Sequence, residues 1–250
     1  MATGLLVVAV GPATRFLQYL PLEPKTYEAT IRFGEATTTY DREGEVSFQG
    51  EVPGDLSGAA LAQIGSYLGL IQQQPPMFSA VKIKGQPLYK LARKGEEVER
   101  ASRTVHIAKF DLTVVDDRTM KAVIVCSGGT YVRSLAHDLG MSLGCGAHLV
   151  GLKRTQVGRF DLASAVPLDT VDAGHLLPLS EALSPMVMAR LDARRVTQIR
   201  EGRQIRIEEA ENGVVALQEP DGSVFGIARV SGHIAQPECV IPAGVLDAPR

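Results

Sequence analysis

The chain has 250 residues, 45% of them apolar, with 25 Gly, 14 Pro, no Trp and only 5% aromatics. That composition supports a sizeable core of mainly aliphatic side chains and excludes a disordered or collagen-like chain. A formal net charge of -2 leaves a nucleic-acid partner open, because local fields decide such binding. Cys126, Cys145 and Cys239 are far apart and form no C-x-x-C pair, which argues against a zinc ribbon or a dithiol redox site, and their odd number fits a reducing compartment. No run of about 18 apolar residues predicts a membrane span, and the first ten residues lack the pattern of a secretory leader.

In chain order, Gly4 to Val10 reads as a short interior strand closed by Gly11-Pro12, and Ala13 to Leu20 as a short helix. Tyr27 to Phe33 alternates as a strand. Gly34 to Gly44 is rich in Thr and charge and reads as a polar loop. Leu61, Ile64 and Leu68 fall at helical spacing, with Ser57 as the expected cap. Pro75-Pro76 excludes regular helix through the stretch Gln72 to Met77. Lys109 to Val115 and Thr119 to Cys126 read as two strands around a turn at Asp116 to Arg118. A helix is predicted over Val132 to Met141, with Val132, Leu135, Ala136 and Leu139 facing inward. Beyond a boundary near Leu183 to Met188, short apolar bursts between Gly202, Gly213, Gly222 and Gly232 predict a small β-rich domain, a curled sheet or barrel.

Charge is uneven. Residues 1–70 carry four basic and eight acidic side chains, whereas residues 71–110 carry eight basic and three acidic ones. Lys82, Lys84, Lys90, Arg93 and Lys94 are interrupted by no acid, and Lys153, Arg154 and Arg159 form a second basic group. Such patches suit a phosphate backbone, although an ordinary solvated face has the same composition. His106, His137, His148, His175 and His233 show no metal-ligand spacing, and neither Gly128-Gly129-Thr130 nor Gly144-Cys145-Gly146 completes a phosphate loop. Cys145 and His148 are the naive nucleophile and base, against the plainer reading of a buried cysteine beside a turn. The stretch from Ser127 to Leu135 puts an arginine, Arg133, into the first turn of a helix, where the helix dipole opposes it. Such an arginine needs a counter-anion or a functional reason, unless it is simply a surface residue.

Together the residues carry a resemblance. Ala2-Thr3-Gly4-Leu5-Leu6, Gly11-Pro12-Ala13-Thr14-Arg15, Lys25-Thr26-Tyr27 and the run Thr37-x-Thr39-x-Asp41-x-x-Gly44 are followed in order by Gln74-Pro75-Pro76-Met77-Phe78-Ser79-Ala80-Val81-Lys82. Then come Ser127 to Leu135, Asp138-Leu139-Gly140, Gly144 to Leu149, and Leu152-Lys153-Arg154-Thr155-x-x-Gly158. Over residues 2–160 the chain resembles the bacterial tRNA pseudouridine-55 synthases of the TruB family; the match beyond residue 187 is weaker.

The resemblance implies an α+β fold: a mixed, mostly antiparallel sheet flanked by helices, with a thumb insertion at about 73–100. It divides the chain into a catalytic domain over 1–183 and a small PUA-like, RNA-binding β domain over 187–250. The implied reaction isomerises uridine-55 in the T-loop of tRNA, on a base flipped out of its stack. The implied protein is a cytoplasmic monomer that binds the tRNA T-arm, with no cofactor, metal or membrane. Tyr27 matches the active-site tyrosine, whose ring stacks on the base and whose hydroxyl takes part in removing the C5 proton. Arg133 matches the arginine that pairs with the catalytic Asp. Tyr131 and Leu152 match pocket-lining positions, and Lys82 and Arg154 are candidate phosphate contacts. The family's nucleophilic Asp would stand two positions before Met1, so the resemblance implies a start assigned too late or a shortened chain, which would itself be inactive. The alternative is a non-enzymatic tRNA-binding or tRNA-folding protein.

Overall fold

The computed structural model describes residues 2–83, 85–96 and 98–244. Contacts divide the chain into two units, Met1–Leu6 with Leu22–Ala165, and Val7–Pro21 with Val166–Arg250.

The first unit is organised by strands whose alternation buries one face. Its elements are β1 (Ala2–Gly4), β2 (Lys25–Phe33), β3 (Glu35–Thr37), β4 (Val46–Gln49), α1 (Leu56–Ile64), β5 (Gly69–Gln73), β6 (Lys82–Ile83), β7 (Gln86–Pro87), α2 (Leu88–Ala92), β8 (Arg103–Val114), β9 (Thr119–Cys126), α3 (Val132–Ser142), β10 (Ala147–Val157) and β11 (Phe160–Asp161). The main sheet runs β1-β10-β2-β9-β8-β5, with β11 beside β10. All its pairs are antiparallel except β1 on β10. Ala29, Ile31 and Phe33 of β2, Met120, Ala122 and Ile124 of β9, and Leu135, Ala136 and Leu139 of α3 share one core. The period-two strands and the inward face of α3 are those expected from the sequence.

Two local expectations are corrected. The apolar run from Gly4 to Val10 is not an interior strand. Only Ala2–Gly4 pairs, and Leu6, Val8 and Val10 are exposed. Apolarity alone cannot supply a pairing partner. Helix α1 is capped by Asp55, whose carboxylate accepts the Gly58 N–H at 2.9 Å, rather than by Ser57. The earlier start turns Leu56, Ala60 and Ile64 inward and leaves Leu61 and Leu68 exposed.

Helix α3 sits so close to the chain entering β10 that a Cβ at Gly140 would lie 2.1 Å from the Ala147 nitrogen and 2.3 Å from the Gly146 carbonyl carbon. Gly140→Ala is therefore expected to lower the unfolding free energy by more than ~3 kcal/mol, since backbone rather than a side chain must yield. Urea unfolding measures it; a change below ~0.5 kcal/mol would mean that the helix re-docks freely.

The second unit is β-rich, as expected. A sheet of order β12-β14-β15-β16-β13 comprises β12 (Val187–Arg190), β13 (Ile205–Arg206), β14 (Asn212–Gln218), β15 (Val224–Ser231) and β16 (Ile234–Val240), with α4 (Leu179–Ala182) and α5 (Ala193–Arg200). Leu183 packs with Phe16, Ala216, Val224 and Ile227. The expected boundary at 183–187 therefore falls inside this unit, because Leu183 belongs to its core and the division between units follows Ala165. The segment expected as a helix near Ala13 is a 3₁₀ helix, Gly11–Tyr19, and it joins this unit too. The end of the expected domain, 245–250, lies outside the described residues, as does Lys84 of the basic group. No helix among the described residues is long and apolar enough to cross a membrane.

Candidate active site

A cleft of about 320 Å³ in the first unit is lined by Ala2, Tyr27, Asp41, Tyr131, Arg133 and Leu152, among others. Four side chains singled out in the sequence thus converge: Tyr27 from β2, Leu152 from β10, and Tyr131 and Arg133 from the start of α3. Tyr27 and Leu152 meet because β2 and β10 are antiparallel neighbours in which Tyr27 faces Arg154 and Ala29 faces Leu152. Ala2 reaches the cleft because β1 runs parallel to β10, pairing Ala2 with Leu152 and Gly4 with Arg154. The approach is tight. A Cβ at Gly4 (φ +92°) would lie 2.3 Å from the Arg154 carbonyl oxygen, so only glycine fits there.

The centre of the cleft is an ion pair that sequence reasoning missed. Arg133 Nη1 donates to Asp41 Oδ2 at 2.9 Å, with the Asp41 side chain 6% exposed and that of Arg133 22%. Arg133 Nη2 also donates to the Phe78 carbonyl. Asp41 is held by its own loop. The Thr39 hydroxyl donates to Asp41 Oδ1 at 2.7 Å, the Glu43 N–H donates to the same oxygen at 3.1 Å, and the Thr37 hydroxyl donates to the Asp41 carbonyl at 2.7 Å. The loop is stitched to β10 on both sides, Leu149 N–H to the Tyr40 carbonyl and Arg42 N–H to the Leu149 carbonyl. The stretch that reads as a polar loop is therefore the mount for a buried carboxylate. Its signal was the spacing Thr37-x-Thr39-x-Asp41-x-x-Gly44, in which each hydroxyl sits where it can reach Asp41. Asp41 is also the counter-anion that an arginine in the first turn of α3 requires.

The Tyr27 hydroxyl is pushed above its ordinary pKa by burial, an effect partly offset by its hydrogen bond with the Arg154 side chain. Arg154 Nε donates to the Leu5 carbonyl at 2.7 Å. Arg154, expected at a phosphate, is thus engaged inside the fold by Leu5 and Tyr27. Lys82 is exposed and lines a separate pocket with Pro75, Arg100 and Arg103. The two pockets are linked through Arg103, whose guanidinium lies 5.4 Å from the centre of the Tyr131 ring.

The Cys145–His148 reading fails. The Cys145 thiol donates to the Gly140 carbonyl and His148 Nδ1 is paired with the Glu35 carbonyl, both side chains being buried. Burial also raises the Cys145 thiol pKa, so neither group is placed or poised for attack.

Sequence comparison matches the TruB family pseudouridylate synthase N-terminal domain over residues 1–132 and the tRNA pseudouridylate synthase B C-terminal domain over residues 133–189. The chain belongs to the TruB family. It is 41% identical to the tRNA pseudouridine synthase B of Burkholderia mallei (strain NCTC 10247) over 260 aligned residues, covering 98% of this chain and 85% of the relative. To that of Stutzerimonas stutzeri (strain A1501) it is 40% identical, covering 94% and 81%. Among solved structures, a chain in the crystal structure of a Cbf5-Nop10-Gar1 complex matches with a TM-score of 0.69 at 20% identity, over 96% of this chain and 74% of that one. A chain of an H/ACA RNP bound to a substrate RNA containing 2'-deoxyuridine matches with a TM-score of 0.65 at 18% identity, over 95% and 72%. These two share the expected α+β fold. The sequence relatives named here are synthases and lend no support to the alternative of a non-enzymatic tRNA binder.

Proposed function

We propose that this protein isomerises uridine to pseudouridine in tRNA, that its target is position 55 in the T-loop, and that the cleft around Tyr27 and Arg133 receives the flipped base. The observation that carries the reading is convergence. Two tyrosine rings, an aliphatic wall of Leu149 and Leu152, and one hydrogen-bonded Asp–Arg pair with its carboxylate buried line a single small cleft. Aromatic faces and aliphatic walls accept any base by stacking, while fixed charges act on the sugar and the carbonyl edges.

In this reading Tyr27 stacks on the base, and Tyr131 and Leu152 shape the pocket. Arg133 keeps its fork aimed, because Asp41 and the Phe78 carbonyl hold it from two sides. The family's catalytic carboxylate belongs, by resemblance, three positions before Ala2. Ala2 lines the cleft, so that position is within about 10 Å of it along an extended backbone. The carboxylate either attacks the ribose C1′ or assists formation of a glycal. In both routes the C1′–N1 bond breaks with its electrons staying on the uracil. The uracil rotates and C5 bonds to C1′ as the intermediate on the sugar is undone, and the C5 proton is then lost while N1 gains one.

The test is pseudouridine formation in a T-arm transcript by the chain carrying, ahead of its first residue, the Asp-Pro segment that the resemblance implies. Product at uridine-55 of the T-loop is expected. No product, or product at unrelated uridines alone, overturns the reading.

The insertion between β5 and β8 and the second unit are proposed to hold the RNA. The insertion carries the exposed Lys82, Lys90, Arg93 and Lys94. Replacing Lys82 and Lys90 with alanine is expected to weaken tRNA binding and to reduce the slope of log Kd against log salt by nearly 2, about 0.9 for each phosphate no longer neutralised. Titrations at several salt concentrations measure the slope. An unchanged slope removes these lysines from the RNA interface and leaves them a solvated surface.

A further inference from the structure

Three glutamines in a row, Gln72, Gln73 and Gln74, end β5 and open the basic insertion. The outer two are exposed. Gln72 Nε2 donates to the Thr104 hydroxyl at 2.8 Å and Gln74 Nε2 to the Arg100 carbonyl at 3.2 Å. Gln73 is different: it is 2% exposed. Its amide nitrogen donates to the Tyr131 carbonyl at 3.0 Å and its amide oxygen accepts the Tyr131 N–H at 2.7 Å. A primary amide is the side chain that can serve both main-chain groups of one residue, donating and accepting as a neighbouring strand would.

Tyr131 is where this grip matters. It immediately precedes α3, has no side-chain cap of its own, and its carbonyl already receives the first helical N–H groups, from Ser134 and Leu135. Fixing this peptide fixes two things at once: the direction in which the Tyr131 ring leaves the backbone, and the phase of the first helical turn, on which Arg133 follows two residues later. Five residues beyond Gln73, the Phe78 carbonyl takes the other end of the same arrangement, Arg133 Nη2. The segment that begins the insertion therefore grips the cleft side of α3 twice.

We propose that Gln73 is a positioning residue for the isomerisation, holding Tyr131 and Arg133 in their working geometry through its paired hydrogen bonds to the Tyr131 main chain. The proposal rests on the functional reading above. A buried glutamine must in any case find partners, so the test separates positioning from mere satisfaction of a buried amide.

Gln73→Met preserves length and apolar volume but can neither donate nor accept there. With the same protein and a T-arm transcript, the single-turnover rate at saturating RNA is expected to fall about 10- to 100-fold, while Kd for the RNA changes less than about threefold. Arg133→Ala is expected to cost much less in the Gln73→Met background than alone, because the guanidinium is already mis-aimed. Amide exchange at Tyr131 should quicken without a matching loss of global stability.

If Gln73→Met does not fold, Gln73→Glu, which keeps the oxygen facing the Tyr131 N–H but sets a second oxygen against the Tyr131 carbonyl, is read in the same way, with the same split expected. A rate within about twofold of wild type, well below the loss expected from two hydrogen bonds, overturns the proposal and leaves the functional reading standing. So does a parallel loss of rate, affinity and stability with the Arg133→Ala penalty undiminished. Wild-type protein that makes no pseudouridine is a different result, which removes the functional reading itself.

Discussion

Asp41→Asn is expected to slow single-turnover pseudouridine formation by about 10- to 100-fold, the worth of one charge-assisted hydrogen bond, with little change in RNA affinity. The geometry leaves the asparagine no good orientation. Asp41 Oδ1 receives the Thr39 hydroxyl and the Glu43 N–H, and Oδ2 receives Arg133. If the amide oxygen stays with Thr39 and Glu43, the NH₂ group is turned on the Arg133 fork, donor against donor. If the amide flips, the Glu43 N–H loses its acceptor. In the first orientation the guanidinium is held from one side only, by the Phe78 carbonyl; in the second it keeps a neutral acceptor in place of a carboxylate, on a loop that has lost its Glu43 tie. Stability should fall as well, by about 1–3 kcal/mol. That is less than the ~3–5 kcal/mol of a fully buried pair, because Arg133 stays partly open to water. Rates and urea unfolding for Asp41→Asn, Arg133→Ala and the double variant check the coupling. The double variant should be no slower than Arg133→Ala alone. Rate losses that simply multiply would show that the two residues act separately and that the pair is only structural.

How far the sequence reached is clearest at this pair. Arg133 was legible because its position in a helical first turn is physically awkward, and an awkward charge asks for a reason. Its partner was not. Asp41 sits among Thr, Glu and Gly, a composition indistinguishable from a solvated loop. Only its bridge to Leu149, over a hundred residues away, buries it. The contacts that Arg154 makes within the fold were hidden for a related reason. A basic residue after Lys153 reads as a surface charge, yet the register that sets it opposite Tyr27 and beside Gly4 turns it inward. The core strands and α3 needed no such distant information, since periods of two and 3.6 are local properties. The unit boundary did need it, because Val7–Pro21 belongs with a unit formed by Val166–Arg250, where Phe16 packs with Ala216, Val224 and Ile227 some two hundred residues away. Tyr27, Tyr131, Arg133 and Leu152 were picked by resemblance to the TruB family, and what brings them together is the pairing of β2 with β10 and the docking of α3.

The hydroxyl of Tyr27 allows the other large effect to be divided by chemistry. Tyr27→Phe keeps the ring, so RNA binding and base stacking should survive, but the rate is expected to fall by about 10²–10⁴, the usual worth of a group engaged in proton transfer. Tyr27→Ala should lose a further ~1–3 kcal/mol of base stacking. The form in which the hydroxyl acts follows from its surroundings. Burial raises its pKa from an ordinary value near 10, and the Arg154 guanidinium only partly offsets this. The group therefore stays protonated across the neutral range. With Arg154 donating to its oxygen, its own O–H is available as a neutral donor or relay. An ionised base would behave otherwise, since below its pKa the tyrosinate fraction grows tenfold with each unit of pH, and the rate would climb with it. The wild-type single-turnover rate is accordingly expected to show no unit-slope rise between about pH 6 and 9. A log rate that climbs with a slope near one over that range in wild type, and loses that slope in Tyr27→Phe, would make tyrosinate the base that removes the C5 proton and would sink the neutral-donor assignment.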